Sequence, residues 1–300
     1  MRVRSLRARV LPVLVTALVA TGALTSCVVD ESALDTKPLK VTIAVQPEIA
    51  ALLPAAIKAS GRLRIGTNTP YQPNEFKNRD GEIIGFDVDL VDAAAQVLGL
   101  RTEYNEADFD KIIPAIQSGT FDMGMSSFTD SLEREKEVDF VDYFSAGVQW
   151  AAKAGRDLNP DNACGLRVGV QSTTVEDTDE VPAKSAACVK AGKAPIIKVK
   201  FDTQDQAVNA ALLGQVDAVS ADSPVTAYAV KKTEGQLQLV GPTYDAAPYG
   251  LPVLKGSSLA AAMQKAVQYL MDHGQYEQIS RHWGVEAGMI TRAEINGAKE

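Results

Sequence analysis

Asp110-Lys111-Ile112-Ile113-Pro114-Ala115-Ile116-Gln117-Ser118-Gly119-Thr120-Phe121-Asp122 reads as a helix that stops at glycine, followed after two residues by an aspartate that opens an apolar strand. At an offset of 95, Asp205-Gln206-Ala207-Val208-Asn209-Ala210-Ala211-Leu212-Leu213-Gly214-Gln215-Val216-Asp217 does the same. Asp, Ala, Gly and Asp match in register, and the offset sets Ser127 opposite Asp222, each just past its strand. Polar groups at the carboxyl ends of parallel strands are where open α/β sheets bind ligands. The repeat therefore predicts two similar lobes that present strand ends to one shared cleft.

Outward from these segments, helices and strands alternate. Leu63–Thr67 alternates as a short strand, a helix runs from about Asp89 to Leu98, and Arg101–Tyr104 reads as the next strand. Beyond residue 150 the pattern resumes with strands at Arg167–Val170, Ile196–Val199 and Ala218–Ala221, separated by helices from Thr174 and over Gln204–Leu213. Such alternation means α/β with mainly parallel sheets. The composition agrees: 300 residues, 46% hydrophobic and 23% charged, exclude disordered, collagenous and coiled-coil classes.

The first residues read as an address. Arg2, Arg4, Arg7 and Arg9 precede the apolar run Leu11–Ala20, then small residues and Leu24-Thr25-Ser26-Cys27. The run is short for a membrane span and has the flanks of a signal peptide, here residues 1–26. Leu-Thr-Ser-Cys resembles a bacterial lipobox in which Cys27 becomes the acylated first residue; a signal peptide with a chance Cys is the alternative. Residues 27–45 then read as a lipid-anchored tether, which places the protein on the extracytoplasmic face of the membrane. The net charge is −8, and without the four leading arginines 26 minus 38 gives −12, a poor match for nucleic acid. Cys164 and Cys188 remain as an even pair in an exported chain, which reads as one disulfide. With only two His, His273 and His282, neither a metal cluster nor a Cys-His nucleophile is expected, and no cofactor is called for.

Several stretches, in order, resemble the amino-acid-binding branch (family 3) of bacterial extracellular solute-binding proteins. They are Arg64-Ile65-Gly66-Thr67-Asn68-Thr69-Pro70-Tyr71, Gly81–Leu90, Phe109–Ala115, Ser126–Arg134, Gly214–Val219 and Gly274–Ile279 with Trp283. The resemblance spans about residues 60–285. It implies a two-lobed, periplasmic-binding-protein-like (type II) α/β fold with two hinge crossings, near Ala146–Gln149 and Pro242–Tyr249. Lobe 1 would comprise residues 46–147 and 248–300, and lobe 2 residues 148–247. It also implies capture of a free amino acid by a monomer and delivery to ABC permease subunits.

An amino acid brings a carboxylate and an ammonium that both lose water on enclosure, so each needs a countercharge and hydrogen bonds. The resemblance assigns Arg134 to the carboxylate, with Ser127 and Thr129 beside it; an exposed helix partner of Asp130 is the plainer role for Arg134. It assigns Asp222 to the ammonium, though Asp222 also suits an N-cap for the helix from Pro224. Thr173 or Thr174, where a strand gives way to a helix, would supply a hydroxyl and free N–H groups to the carboxylate. The family usually has Gly where this chain has Thr173. Tyr71 and Phe109 match the walls of the ligand's aliphatic part. Asn68 stands where members that prefer cationic ligands often carry Asp, which points to a polar, uncharged or acidic side chain. Asp87 and Asp89 read as helix-start residues. Two other functions compete. One is a cyclohexadienyl-dehydratase-like enzyme on the same fold, for which Glu75 is the spare acid nearby; the other is a ligand-sensing module.

Overall fold

The computed structural model describes residues 37–299. The expected signal peptide, Cys27 and the first part of the expected tether lie outside the described residues. Residues 37–45, expected to belong to that tether, instead lie across a helix of the folded body. There the Leu39 N–H donates to Asp89 Oδ2 at 2.8 Å and the Ile43 N–H to Gln96 Oε1 at 3.1 Å. Leu39, Val41 and Ile43 rest on the main core, and this period-two apolar pattern was the available signal.

Helices α1 (Pro47–Ala50) and α2 (Ala55–Ser60) lead into strand β1 (Arg62–Thr67). A small hairpin, β2 (Phe76–Lys77) with β3 (Ile83–Ile84), precedes α3 (Phe86–Leu98), β4 (Arg101–Glu106), α4 (Phe109–Gln117) and β5 (Met123–Gly124). The long strand β6 (Val138–Lys153) carries the chain into a second set. This set is β7 (Arg167–Gln171), a π-helical turn (Glu176–Glu180) continuing as α5 (Val181–Lys190), β8 (Ile197–Phe201), α6 (Gln204–Leu212), β9 (Ala218–Asp222) and α7 (Ser223–Lys232). A second long strand, β10 (Leu237–Leu254), returns to the first set, where α8 (Ser258–Asp272) and α9 (Gln275–Trp283) close it.

One eight-stranded sheet runs through both halves, in the order β4-β1-β5-β10-β6-β9-β7-β8, with β2 and β3 paired apart from it. The two halves mirror each other: β4, β1 and β5 are parallel, as are β8, β7 and β9, and β10 and β6 run antiparallel between them. The sequence repeat has a structural cause. Asp122 accepts the Arg64 N–H at 2.9 Å and donates its own N–H to Arg64 O at 2.8 Å; Asp217 does both with Arg167, each at 2.8 Å. Each aspartate thus pins the start of its strand to the first strand of its half. Gly119 (φ 75°) and Gly214 (φ 73°) supply the left-handed turn that ends the preceding helix.

The main core lies in the first half, where α3, α8 and α9 cover the sheet with Leu90, Val97, Met263, Val267 and Ile279. Two smaller clusters fill the second, around Trp150 and Val168 on one face and around Ala207, Ala210 and Val219 on the other. Cys164 and Cys188 form a disulfide (S–S 2.00 Å) beside the first of these, tying the entry to β7 to α5. No helix among the described residues is long and apolar enough to cross a membrane.

Candidate functional site

The strand ends meet. Asn68 follows β1, Phe109 lies just beyond β4, and Ser126 and Ser127 follow β5. From the other half come Gln171 at the end of β7 and Asp222 at the end of β9. Together with Tyr71, Thr129, Arg134, Thr174, Val175 and Glu176 they line one cavity. The space open to the centre of a water molecule is about 10 Å³, so the halves are shut against each other. By volume this is room for about one water.

Of the residues expected from sequence, Asn68, Tyr71, Phe109, Ser127, Thr129, Arg134, Thr174 and Asp222 converge here. Thr173 is turned aside: its hydroxyl donates to the Ser172 carbonyl at 2.6 Å. Thr173 sits at φ 66°, a left-handed conformation that is rare for a β-branched residue and explains why glycine suits the position. The turn is held by Asp177, whose Oδ2 accepts the Thr173 N–H at 2.9 Å and whose two oxygens are gripped by Lys198 (Oδ1) and Lys200 (Oδ2) of β8.

Arg134 stands in a short helical turn, Arg134–Lys136, after the Ser126–Thr129 loop. Its guanidinium donates to Thr129 O at 2.8 Å and, across the cleft, to Thr173 O at 3.1 Å. It also lies 5.5 Å and 5.6 Å from the ring centres of Phe109 and Phe128, which stack on each other at 4.3 Å. Phe109 therefore supports the arginine as well as walling the cavity. Burial lowers the Arg134 pKa, opposed by the charges of Glu176 and Asp222.

Asp222 occupies the N-cap position of α7, yet its side chain makes no capping bond. It accepts the Tyr71 hydroxyl from the opposite half at 2.6 Å. Burial pushes its pKa up to about 6, against the pull of the Tyr71 and Tyr249 hydroxyls and Arg134. Asn68 is also committed across the cleft. Its Oδ1 accepts from Gln171 Nε2 at 2.8 Å and its Nδ2 donates to Ala107 O at 2.9 Å. Both ends of the amide are used by protein groups.

Sequence reasoning missed Ser126, Gln171, Val175 and, above all, Glu176. Glu176 is 1% exposed, its Oε1 has no hydrogen-bond partner, and its pKa rises to about 8 through burial and the charge of Asp222. It sits in the run Glu176-Asp177-Thr178-Asp179-Glu180, which reads as a solvated face. Its place three residues after Thr173 was the only local clue. Behind Ser127 lie two more buried acids, Glu75 and Asp87, that sequence had left without a binding role.

Residues 63–286 match the bacterial extracellular solute-binding proteins, family 3. The chain belongs to this family. Among relatives, the arginine-binding protein ArgT of Corynebacterium glutamicum is 46% identical over 252 residues, 83% of each chain. In structure, an ancestral arginine-binding protein bound to arginine superposes with a TM-score of 0.69 at 36% identity, covering 74% of this chain and 98% of that one. An ancestral amino-acid-binding protein, a precursor of cyclohexadienyl dehydratase, gives 0.65 at 30% identity over 76% and 97%. The two-lobed α/β fold of this family member is thus that of periplasmic-binding-protein-like structures. Its acid-rich cleft distinguishes the site from a simple carboxylate clamp.

Proposed function

We propose that this family member captures a free amino acid with a cationic side chain, arginine the first candidate, and passes it to an ABC permease outside the cytoplasm. The observation that carries this reading is the charge around the cavity: one cation, Arg134, against two acids, Asp222 and Glu176. An enclosed amino acid adds a carboxylate and an ammonium, which cancel. Burial and the charge of Asp222 hold Glu176 protonated up to about 8. A neutral side chain therefore leaves Arg134 and Asp222 balanced but Glu176 Oε1 without a partner. An acidic one adds an uncompensated negative charge, and a cationic one supplies the countercharge against which Glu176 ionises. A buried carboxyl without a partner is costly, so the site favours the cation. The expectation of a polar, uncharged or acidic ligand gives way, because it rested on Asn68, whose amide is engaged by Ala107 and Gln171. The 46% identical relative named as an arginine-binding protein supports the same reading.

In this reading Arg134 takes the ligand carboxylate, with Ser127, Thr129 and the N–H groups near Thr174 beside it, and Asp222 takes the ammonium. Tyr71 and Phe109 flank the aliphatic part. Residues 46–147 with 248–300 form one lobe and residues 148–247 the other, closing as a monomer. Cys27 carries the lipid that keeps the protein at the membrane. The test is a calorimetric panel of L-arginine, L-citrulline, L-glutamine and L-glutamate. Arginine should bind at least tenfold more tightly than its neutral isostere citrulline; glutamate binding tightest would overturn the reading. The raised pKa of Glu176, about 8, supports a second reading in which it serves as the general acid of a dehydratase-like reaction. Chromatography of prephenate-like acids after incubation with the protein decides that second reading by the presence or absence of product.

A further inference from the structure

We propose that Glu75 and Asp87 are positioning residues for ligand capture: a buried carboxyl pair joined by one proton, on which the Ser127 turn is set against the ligand. This rests on the amino-acid reading above. Neither residue lines the cavity, and both side chains are 0% exposed. Ser127, which does line it, has φ 49°, a left-handed backbone uncommon outside glycine, so its surroundings must hold it there. The holding group is Asp87 Oδ2, which accepts the Ser127 N–H at 3.1 Å.

A proton count shows that the two carboxyls cannot both be ionised. Ser127 Oγ lies 3.3 Å from Glu75 Oε2 and 3.2 Å from Asp87 Oδ2, and it accepts from Asn74 Nδ2 at 2.8 Å. A hydroxyl has one hydrogen, so it donates to one carboxyl only. The other contact needs a proton on the carboxyl. The remaining donors to the pair are Ser126 Oγ to Glu75 Oε1 at 3.1 Å and Tyr143 Oη to Asp87 Oδ2 at 2.6 Å. All the groups bonding to the pair are neutral, and two like charges in contact without a cation cannot both ionise. Tyr143 from β6 and Tyr71 from the loop after β1 are the titratable groups facing the pair, and burial keeps both phenols protonated.

The hydrogen bonds decide which carboxyl keeps the proton. Asp87 accepts from Tyr143 and from the Ser127 backbone, whereas Glu75 accepts only from serine hydroxyls. Burial and then the charge of Asp87 push Glu75 well up, while Asp87 rises only to about 6. Glu75 therefore carries the proton and Asp87 the charge that the Ser127 N–H needs. Gly85 makes the arrangement possible: a Cβ there would lie 2.0 Å from Asn74 O, so glycine lets the first turn of α3, with Asp87, press onto the Asn74–Glu75 backbone.

The test compares Glu75→Gln, whose amide mimics the protonated acid, with Glu75→Leu, which fills similar space without a donor. L-arginine is the calorimetric probe at pH 7. Glu75→Leu should weaken binding by roughly tenfold to a hundredfold, as expected for an unsatisfied buried partner, and Glu75→Gln should restore it to within about threefold. Melting temperatures from pH 5 to pH 9 provide a readout independent of ligand. Folding raises the Glu75 pKa, so the wild type loses stability relative to Glu75→Gln as pH rises, and the gap should widen. Parallel melting curves, or a glutamine variant that binds as poorly as the leucine variant, would overturn the pair. A wild type that fails to bind arginine would instead count against the amino-acid reading, while the melting comparison still decides the pair.

Discussion

Asp222→Asn should weaken ligand binding and at the same time stabilise the fold above neutral pH. The side chain is 7% exposed and its principal bond is from the Tyr71 hydroxyl at 2.6 Å, which an amide oxygen can also accept. It makes no capping bond to α7, so the substitution removes charge without removing a cap. Folding raises the Asp222 pKa from 3.8 to about 6. A raised carboxyl pKa gives its full relative stability below the unfolded value and loses it as pH rises through the folded one. At pH 8 the ionised Asp222 therefore costs the closed fold about 3 kcal/mol, an order-of-magnitude figure that the asparagine variant recovers in part. The gain should shrink toward zero as pH falls to 4. Binding moves the other way. Removing one partner of an enclosed charge pair costs about 2–5 kcal/mol, or roughly thirtyfold to a few thousandfold in affinity. Calorimetry with L-arginine and melting scans at pH 8 and pH 5 measure both arms. Affinity within threefold of wild type, or a lower melting temperature at pH 8, would refute the assignment of Asp222 as the ammonium receptor.

Arg134→Lys should lose as much affinity as Arg134→Ala to within about tenfold, because a point charge cannot fork onto a carboxylate while stacking over Phe109 and Phe128; titration of both variants with L-arginine checks this. Replacing Cys164 and Cys188 by serine opens a loop of sequence separation 24 and should lower stability by about 3.5 kcal/mol in urea unfolding, with an unchanged midpoint counting against it. Asn68→Asp should weaken arginine, citrulline and glutamine alike, since a carboxylate cannot donate to Ala107 O; a shift of preference toward cations alone would return Asn68 to the ligand site. The wild-type melting temperature should fall as pH rises from 6 to 9. Folding raises Asp87, Asp130 and Asp222 to about 6, and Glu176 and Asp142 to about 8, mainly through burial, so the stability present in mild acid is lost through those values. A melting temperature that climbs across that range would contradict the burial of these acids.

What was legible in the sequence was whatever is encoded locally. The helix–glycine–aspartate–strand repeat was readable because each copy solves the same local problem, fastening one strand to another through Asp122 or Asp217. The two long strands were not. β10 contains Gly241, Pro242, Pro248, Gly250 and Pro252, and its register with β6 shifts at three places, so its pattern reads as a crossing rather than a strand. The apolar strand opened by Asp122 is only Met123–Gly124 long, because Ser126 and Ser127 turn out of the sheet to reach Glu75 and Asp87. The helix expected from Thr174 begins instead as a π turn at Glu176, after the left-handed Thr173. Acidic residues were the hardest to read. Glu176, Glu75 and Asp87 carry no local mark of burial, and contacts such as Ser127–Asp87 span 40 positions.

The same long-range contacts bear on how the trap works. Tyr71–Asp222, Asn68–Gln171, Arg134–Thr173 and Gln72–Lys232 are direct hydrogen bonds between the halves, made by protein groups alone. Two of them use the groups that a ligand would need, since Tyr71 engages the proposed ammonium receptor and Arg134 the backbone beside the proposed carboxylate site. Ligand capture is therefore an exchange of partners, and a ligand shifts the equilibrium toward closure only by the difference between its contacts and those it replaces. A neutral amino acid exchanges hydrogen bonds of similar strength and leaves Glu176 protonated, its Oε1 without a partner. A cationic one makes the same backbone contacts and also lets Glu176 ionise against a countercharge, where burial alone holds it protonated to about 8. On the proposed reading, selectivity for a cation comes from the closed state itself: closure desolvates both acids, and the penalty for the wrong side chain appears only once the halves have shut.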